Sequence, residues 1–540
     1  VKQMSNGYYN LLHEKWLLAT DLQGVKRSFS LLEIFEKAHQ LRRLAGELPT
    51  QDVAILRLLL AVLHTVFFRF SPDGEPDELD CQEEAIQRWR EVWEAGKFPY
   101  RLIENYLLSY EDRFFLFHDK YPFMQVKSGT GYWTSEGKKI AASVKDMNYF
   151  NGEIAESENK KNVFISRERV SELACDESAR WLIHLNSFDL SPAGRPPQNE
   201  VKITGYKSAW LSNLGLVYVE GDTLFSTLML NLVLGPEDVD DFIDGKPIWE
   251  EDKDIGGTIL ENINVPVPKT LNTLYTMRFR YVELVPSEDM MAVTKALIWS
   301  GCKFDEGQNL TIEPMTVWFK TENGLKPKPH SADQRIWQDI PSIIAKYQDE
   351  TERPGVLNWI NDLMNAGVSI GRIKLKTTGC ETKQNSAIKD VFSDGFAIHS
   401  LLIARAEEGG WLLRIRDEVK AIEKMAEEIG NLSKELRIAK GERSEGQKLE
   451  AKKVLKSKEQ AYSLLDIPFR QWLESIDPES DDVDKRCGEW RETAKRILLE
   501  LAEELIEQAG PQALVGRQRD GEWFTSAKAH LRFINRVKKI

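Results

Sequence analysis

The sequence predicts an α+β protein: a large mixed N-terminal domain over residues 1–390, then an antiparallel four-helix bundle over residues 391–540. Three observations carry this. The chain has 540 residues, 42% hydrophobic and 29% charged, which is ordinary globular composition on a length that calls for two or three domains. Before about residue 390, helical stretches alternate with β-rich runs and Pro-rich turns. After about 395, the apolar residues fall into steps of three and four with Lys, Arg and Glu between them.

Residues 8–35 read as a short strand, a turn at Asp21–Gly24, and a second strand or helix start. Val53, Leu56, Leu59, Leu60, Leu63 and Phe67 recur at helical spacing and predict a long helix over Gln51–Arg69, with Thr50 as its N-cap. Ser71-Pro72-Asp73-Gly74 ends it with turn chemistry. Further helices are expected over Glu83–Glu94 and, after Pro99, over Tyr100–Leu108. Residues 121–215 are less regular, and long irregular stretches of this kind tend to be functional loops or disorder. Thr276–Leu284 and Leu310–Phe319 are β-rich. Beyond the domain boundary, Ile415, Val419, Ile422, Met425, Ile429, Leu432 and Leu436 mark a first bundle helix. Gly441 and Gly446 interrupt the pattern, which resumes over Leu449–Leu473. An acidic turn at Pro478–Asp484 precedes helices over Trp490–Glu507 and Thr525–Val537, separated by a Gly510–Gly521 loop. Four amphipathic helices with short connections imply an antiparallel bundle.

Composition narrows the functional classes. The five cysteines (Cys81, Cys175, Cys302, Cys380, Cys487) show no C-x-x-C spacing, which leaves free thiols in a reducing cytoplasm and no zinc ribbon. No secretory signal is recognised, and the apolar stretch Leu56–Phe68 is too short to span a bilayer; a soluble, cytoplasmic chain with no membrane partner is expected. The net charge of −13 counts against a free-standing DNA-binding protein but leaves room for local basic patches.

Catalytic constellations are scarce. The eight histidines form no H-x-x-x-H or H-x-H pair. His118-Asp119 is an HD dipeptide without the companion ligands a metal phosphohydrolase needs around it. Gly131…Gly137-Lys138-Lys139 falls short of a phosphate loop, because Tyr132 and Lys139 stand where glycine and Ser/Thr are required. Asp238, Asp240 and Asp241 read as surface acidity. No cofactor is expected.

Five segments in order carry a family resemblance: Tyr9-Asn10-Leu11-Leu12-His13-Glu14-Lys15-Trp16-Leu17; Phe114–His118 leading into Tyr121-Pro122-Phe123-Met124-Gln125; Gly205-Tyr206-Lys207-Ser208 before Thr227–Leu234; Lys383-Gln384-Asn385-Ser386-Ala387-Ile388; and the terminal bundle. Together they resemble, over nearly the whole chain, the CasA family, the large subunits of type I-E CRISPR surveillance complexes (Cascade). The resemblance implies a non-catalytic subunit that reads a short protospacer-adjacent motif (PAM) in double-stranded target DNA, helps open the duplex, contacts the 5′ handle of the guide RNA, and recruits a separate helicase–nuclease. Its partners would be the other Cascade subunits, guide RNA, target DNA and that helicase–nuclease. Guide pairing would read sequence while protein reads the motif.

The same resemblance implies site residues. Gln384 matches a glutamine wedge that splits the first base pair, with Lys383 beside it where relatives carry Asn. The loop Ser191–Lys207 matches a glycine-rich minor-groove loop. It keeps Gly194 and Gly205 but carries Arg195 and three prolines, so Arg195, suited to a narrow minor groove, and Lys207 join them as DNA contacts. Lys320 is the candidate for a minor-groove lysine, and Phe164 for an aromatic that stacks on the guide handle. Two basic clusters of the bundle, Lys452, Lys453, Lys456 and Lys458, and Arg532, Arg536, Lys538 and Lys539, are expected to meet phosphates. Two other readings stay open from the residues alone: a helical scaffold without a nucleic-acid role, and a phosphohydrolase seeded by His118-Asp119.

Overall fold

The computed structural model describes the chain except residues 1–6, 129–131, 135, 155–167, 191–196, 236–243, 252–262, 306–309, 323, 330–333, 346, 349–350, 384–386, 405–409, 443–446 and 520, and except the side chains of 213, 347–348, 382–383, 387–389 and 447–450. The fold has two compact units. The first comprises Val1–Arg335, Lys346–Ile370 and Lys374–Gly395, the second Ile336–Ala345, Gly371–Ile373 and Phe396–Ile540. Strands and helices mix in the first and helices dominate the second, which makes the class α+β.

The first unit is built around the helix Pro49–Arg69, in which every residue from Val53 to Phe67 is buried. Helices Leu271–Thr276, Cys175–Phe188, Tyr100–Ser109 and Leu224–Asn231 pack onto it. At 21 residues it is long and apolar enough to cross a membrane, but 89% of its most apolar window is buried inside the fold; it is the core helix of this unit. The apolar stretch 56–68 is therefore part of a longer helix than its composition suggests. Thr50 does not cap it. Pro49 takes the first position and Leu48 precedes it without a side-chain cap, because proline has no amide to satisfy there and its ring presets the helical φ. Thr50 is buried instead, with its hydroxyl 3.0 Å from Nε2 of His184.

The first unit also holds several small sheets. Gly7–Asn10 pairs antiparallel with Phe115–His118, which joins the first two segments of the family resemblance. Leu17–Asp21 lies between Lys26–Phe29 and Leu41–Leu44, and Ala292–Ser300 between Arg280–Pro286 and Ser143–Asp146. Leu216–Glu220 pairs antiparallel with Arg372–Lys383, which is followed in the same sheet by Ala387–His399. The strand expected over Thr276–Leu284 begins only at Arg280, because Leu271–Thr276 is helical. Of the β-rich run Leu310–Phe319, the end lies in the strand Trp318–Thr321.

In the second unit, helices Trp411–Lys440, Gln447–Ser475, Val483–Val515 and Ser526–Val537 succeed one another, and the first packs against the other three. Its seven periodic apolar residues are all buried. Asp482 and Thr525 cap the third and fourth helices by accepting from the amides of Lys485 and Lys528. Gly510 (φ 72°, ψ −176°) interrupts the third helix, and Pro511 follows it at the start of a second, short helical stretch that ends at Val515. Where the loop 510–521 is expected, Arg517–Arg519 pairs with Glu522–Phe524 as a hairpin. Trp337, Phe469, Trp472 and Trp490 form an aromatic core, tied by the Trp337 indole, which donates to Oδ1 of Asp466 at 2.6 Å. The short helix Ile340–Ile344, inside the stretch expected to be N-terminal, packs its buried isoleucines on Trp411–Lys440.

Candidate nucleic-acid interface

Gly205 and Lys207 are the described site residues of the Ser191–Lys207 loop; Gly194 and Arg195 lie outside the described residues. The neck of this loop is well defined. Leu190 and Ser208 form an antiparallel bridge, and the Ala209 amide donates to the Asp189 carbonyl at 2.8 Å. Beyond the neck, Tyr206 and Trp210 join Phe279 and Phe304 in an aromatic cluster, and the Tyr206 hydroxyl accepts from the Phe304 amide at 3.2 Å. Gly205 lies so close to the turn after Ala292–Ser300 that a Cβ would sit 3.0 Å from the Gly301 carbonyl oxygen. Its glycine character serves packing at the root. Lys207 is exposed.

Lys383 is the last residue of Arg372–Lys383; Gln384 falls outside the described residues, as does Phe164. Lys320 is exposed in Trp318–Thr321, which forms a hairpin with Gly324–Pro327. One sheet relates these two positions. Leu216–Glu220 pairs with Arg372–Lys383 through the register Leu216↔Thr378, while the Val217 amide donates to the Met315 carbonyl at 2.8 Å and Leu216 bridges Thr316. The runs leading to Lys320 and to Lys383 therefore share this one strand as a neighbour. At the base of the 372–399 strand pair, Lys374 and Lys376 approach the Glu220 carboxylate at 3.0 and 4.0 Å, beside a cavity of about 280 Å³ that Asp52 and Arg43 also line.

A buried ionic group that no local sequence pattern marks lies in this unit. Arg57 and Glu313, both buried, share two hydrogen bonds of 2.7 and 2.8 Å. The Trp210 indole donates to the same carboxylate at 3.1 Å, and the Arg57 guanidinium lies 4.0 Å from the Tyr275 ring centroid. Arg280 carries no motif either, although it stands in period-two register with Val282 and Leu284, the pattern of one buried strand face.

The basic clusters of the second unit divide. Arg532 pairs with Glu435 at 3.3 Å and with Glu522, and Arg536 with Glu428 at 3.0 Å and Glu435 at 3.7 Å. Lys453 pairs with Glu442 at 3.5 Å. Lys452, Lys456, Lys538 and Lys539 are exposed and make no ion pair among the described residues. Two arginines expected to meet phosphates are thus already engaged by carboxylates of the Trp411–Lys440 helix.

The HD dipeptide has a local role. His118 Nδ1 accepts from the amides of Lys120 and Tyr121 at 3.1 and 2.8 Å, and burial pulls the imidazole pKa down. A neutral ring accepting at Nδ1 carries its proton on Nε2, where a metal would need a lone pair. Among the described residues, no group of three His, Cys, Asp or Glu side chains is placed to hold a metal. The glycine-lysine segment is a hairpin, with Tyr132–Trp133 antiparallel to Lys139–Ile140, and not the strand-to-helix turn of a phosphate loop.

Comparison with known proteins agrees with this architecture. The sequence model of the family described as CRISPR-associated protein Cse1 matches residues 10–501. A CRISPR-associated protein CasA/Cse1 of Thermus thermophilus is 26% identical over 464 residues, 81% of this chain and 80% of its own. The crystal structure of Thermobifida fusca Cse1 aligns over 98% of both chains with a TM-score of 0.79 and 27% identity. A chain of a CRISPR RNA-guided surveillance complex shares the fold over 99% of this chain and 100% of its own, with a TM-score of 0.69 at 17% identity. This α+β fold is thus that of the CRISPR-associated large subunits. The chain belongs to the Cse1 (CasA) family.

Proposed function

We propose that this chain is the non-catalytic large subunit of a type I-E CRISPR surveillance complex in the cytoplasm. In this role it reads the PAM in double-stranded DNA through the loop Ser191–Lys207 and Lys320, opens the duplex with Gln384, contacts the guide handle through Phe164, and recruits the helicase–nuclease. The observation that carries the reading is the family match across residues 10–501. The fold shared with a chain of an RNA-guided surveillance complex supports assembly with guide RNA and other subunits. The strands that flank Gln384 in the sequence, Arg372–Lys383 and Ala387–His399, neighbour each other in one sheet. Lys383 beside Gln384 would add a phosphate contact. We read residues 1–390 as the recognition domain and the four C-terminal helices as an antiparallel bundle over 391–540.

The test is motif-dependent binding and opening of a target duplex by the reconstituted complex, followed with a fluorescent base analogue at the first pair. Gln384→Ala is expected to leave motif binding largely intact and to suppress opening at least tenfold. Undiminished opening in Gln384→Ala sinks the wedge assignment. Divalent-metal-dependent nuclease activity of the purified chain, lost in His118→Ala, would overturn the non-catalytic reading.

A further inference from the structure

Arg280 is fully buried, and Asp189 meets its guanidinium with the backbone carbonyl while the Asp189 carboxylate adds electrostatic attraction. Among the described residues its guanidinium donates to backbone carbonyls, Phe279 at 2.7 Å, Asp189 at 2.8 Å and Lys207 at 3.4 Å, and Nε has no partner. Burying a cation whose charge is only partly compensated is costly, and burial pulls this guanidinium's pKa down against the attraction of the Asp189 carboxylate. Ordinary packing would be served better by an apolar residue in register with Val282 and Leu284. The arginine is therefore explained by what its donors hold.

Two of those carbonyls lie at the two roots of one segment. Asp189 follows the helix Cys175–Phe188 and precedes the neck; Lys207 closes the segment on the other side. The Leu190–Ser208 bridge and the Ala209 amide tie the roots to each other. Arg280 ties both to the sheet floor, and the Arg280 amide in turn donates to Oδ1 of Asn186 in the same helix at 3.0 Å. On the far side, the Tyr149 hydroxyl lies 3.0 Å from Oδ2 of Asp189 and 3.1 Å from the Leu190 carbonyl. A guanidinium presents its donors in a fixed plane, so bonding two carbonyls sets the distance and the angle between their chains.

We propose that Arg280 is the positioning residue for motif reading: by holding the Asp189 and Lys207 carbonyls at once, it fixes the backbone from which Lys207 meets the duplex. This rests on the reading of Lys207 as a DNA contact given above.

The experiment uses the reconstituted complex with Arg280→Lys and Arg280→Met. Lysine keeps the charge but is a single point donor; methionine keeps much of the volume. Three quantities are read: affinity for a duplex target carrying the preferred motif, affinity for the same duplex with the motif scrambled, and affinity for the single-stranded target. The expected result is at least a tenfold loss of motif discrimination, with single-strand affinity unchanged within twofold because guide pairing needs no motif. Amide exchange at Ala209 should rise in both variants. Discrimination that survives in an assembled variant overturns the proposal, and so does an equal loss of single-strand binding, which would mark general misfolding. If Arg280→Met does not assemble, Arg280→Lys decides. Arg195→Ala and Lys207→Ala separate the two layers: no effect of either removes the DNA-contact reading itself. An effect of these with none from Arg280 removes only the positioning role.

Discussion

Glu313 has no solvent exposure, and Arg57, the Trp210 indole and the Met315 amide all bond its carboxylate. Breaking such a pair leaves an uncompensated buried charge. Glu313→Ala is therefore expected to cost about 3–5 kcal/mol, read by denaturant unfolding, whereas replacing Arg57 and Glu313 together with apolar residues should recover much of the loss. Asp52 makes a prediction of another kind. Burial pushes its carboxyl pKa up to about 7, against one favourable bond from the Gly46 amide at 2.7 Å. The native state then holds this proton more tightly than the unfolded chain. The contribution favours folding below about pH 4 and is lost as pH rises from 4 to 7. Asp52→Asn keeps an acceptor for Gly46 and removes the ionisation. Its thermal midpoint should exceed that of the parent chain at pH 8, with the difference shrinking towards pH 4.

The elements show what a sequence reveals and where it stops. Ile415 to Leu436 announced the helix Trp411–Lys440 because one face of a helix is a local pattern. Ser71–Gly74 announced a turn for the same reason, and the Gly74 amide donates to the Ser71 carbonyl at 2.9 Å. Thr50 misled because its side chain is of capping type, whereas the neighbouring proline decides the helix start. The hairpin at 517–524 stayed hidden because glycines at 510, 516 and 521 resemble a plain loop. The candidate interface was legible only as named positions along the chain. Its assembly depends on pairings such as Leu216 with Thr378 and on Arg280 reaching Asp189, 91 residues away, and no local pattern encodes these. The helix Ser526–Val537 gives a test at this scale. Since Arg536 spans to Glu428 and Glu435, Arg536→Ala should lower the stability of the helical unit by roughly 0.5–1 kcal/mol and leave DNA affinity nearly unchanged. Lys538→Ala with Lys539→Ala should do the reverse, as thermal unfolding and binding titrations would show.

For the whole molecule, the net charge of −13 sets the background against which any DNA contact works. The isolated chain should bind duplex weakly, and binding should tighten greatly once basic partners share the ligand; a mobility-shift comparison of chain and complex measures this. The ion pairs of Arg532 and Arg536 have a consequence for that comparison. A lysine that meets a phosphate displaces roughly 0.9 of a condensed counterion from duplex DNA. An arginine that must first release a glutamate leaves that carboxylate to gather cations of its own, so much of the displacement is cancelled. A plot of log affinity against log salt concentration would then count Lys452, Lys456, Lys538 and Lys539 and pass over the two arginines, so that the salt slope reports which charges the fold has left for the nucleic acid.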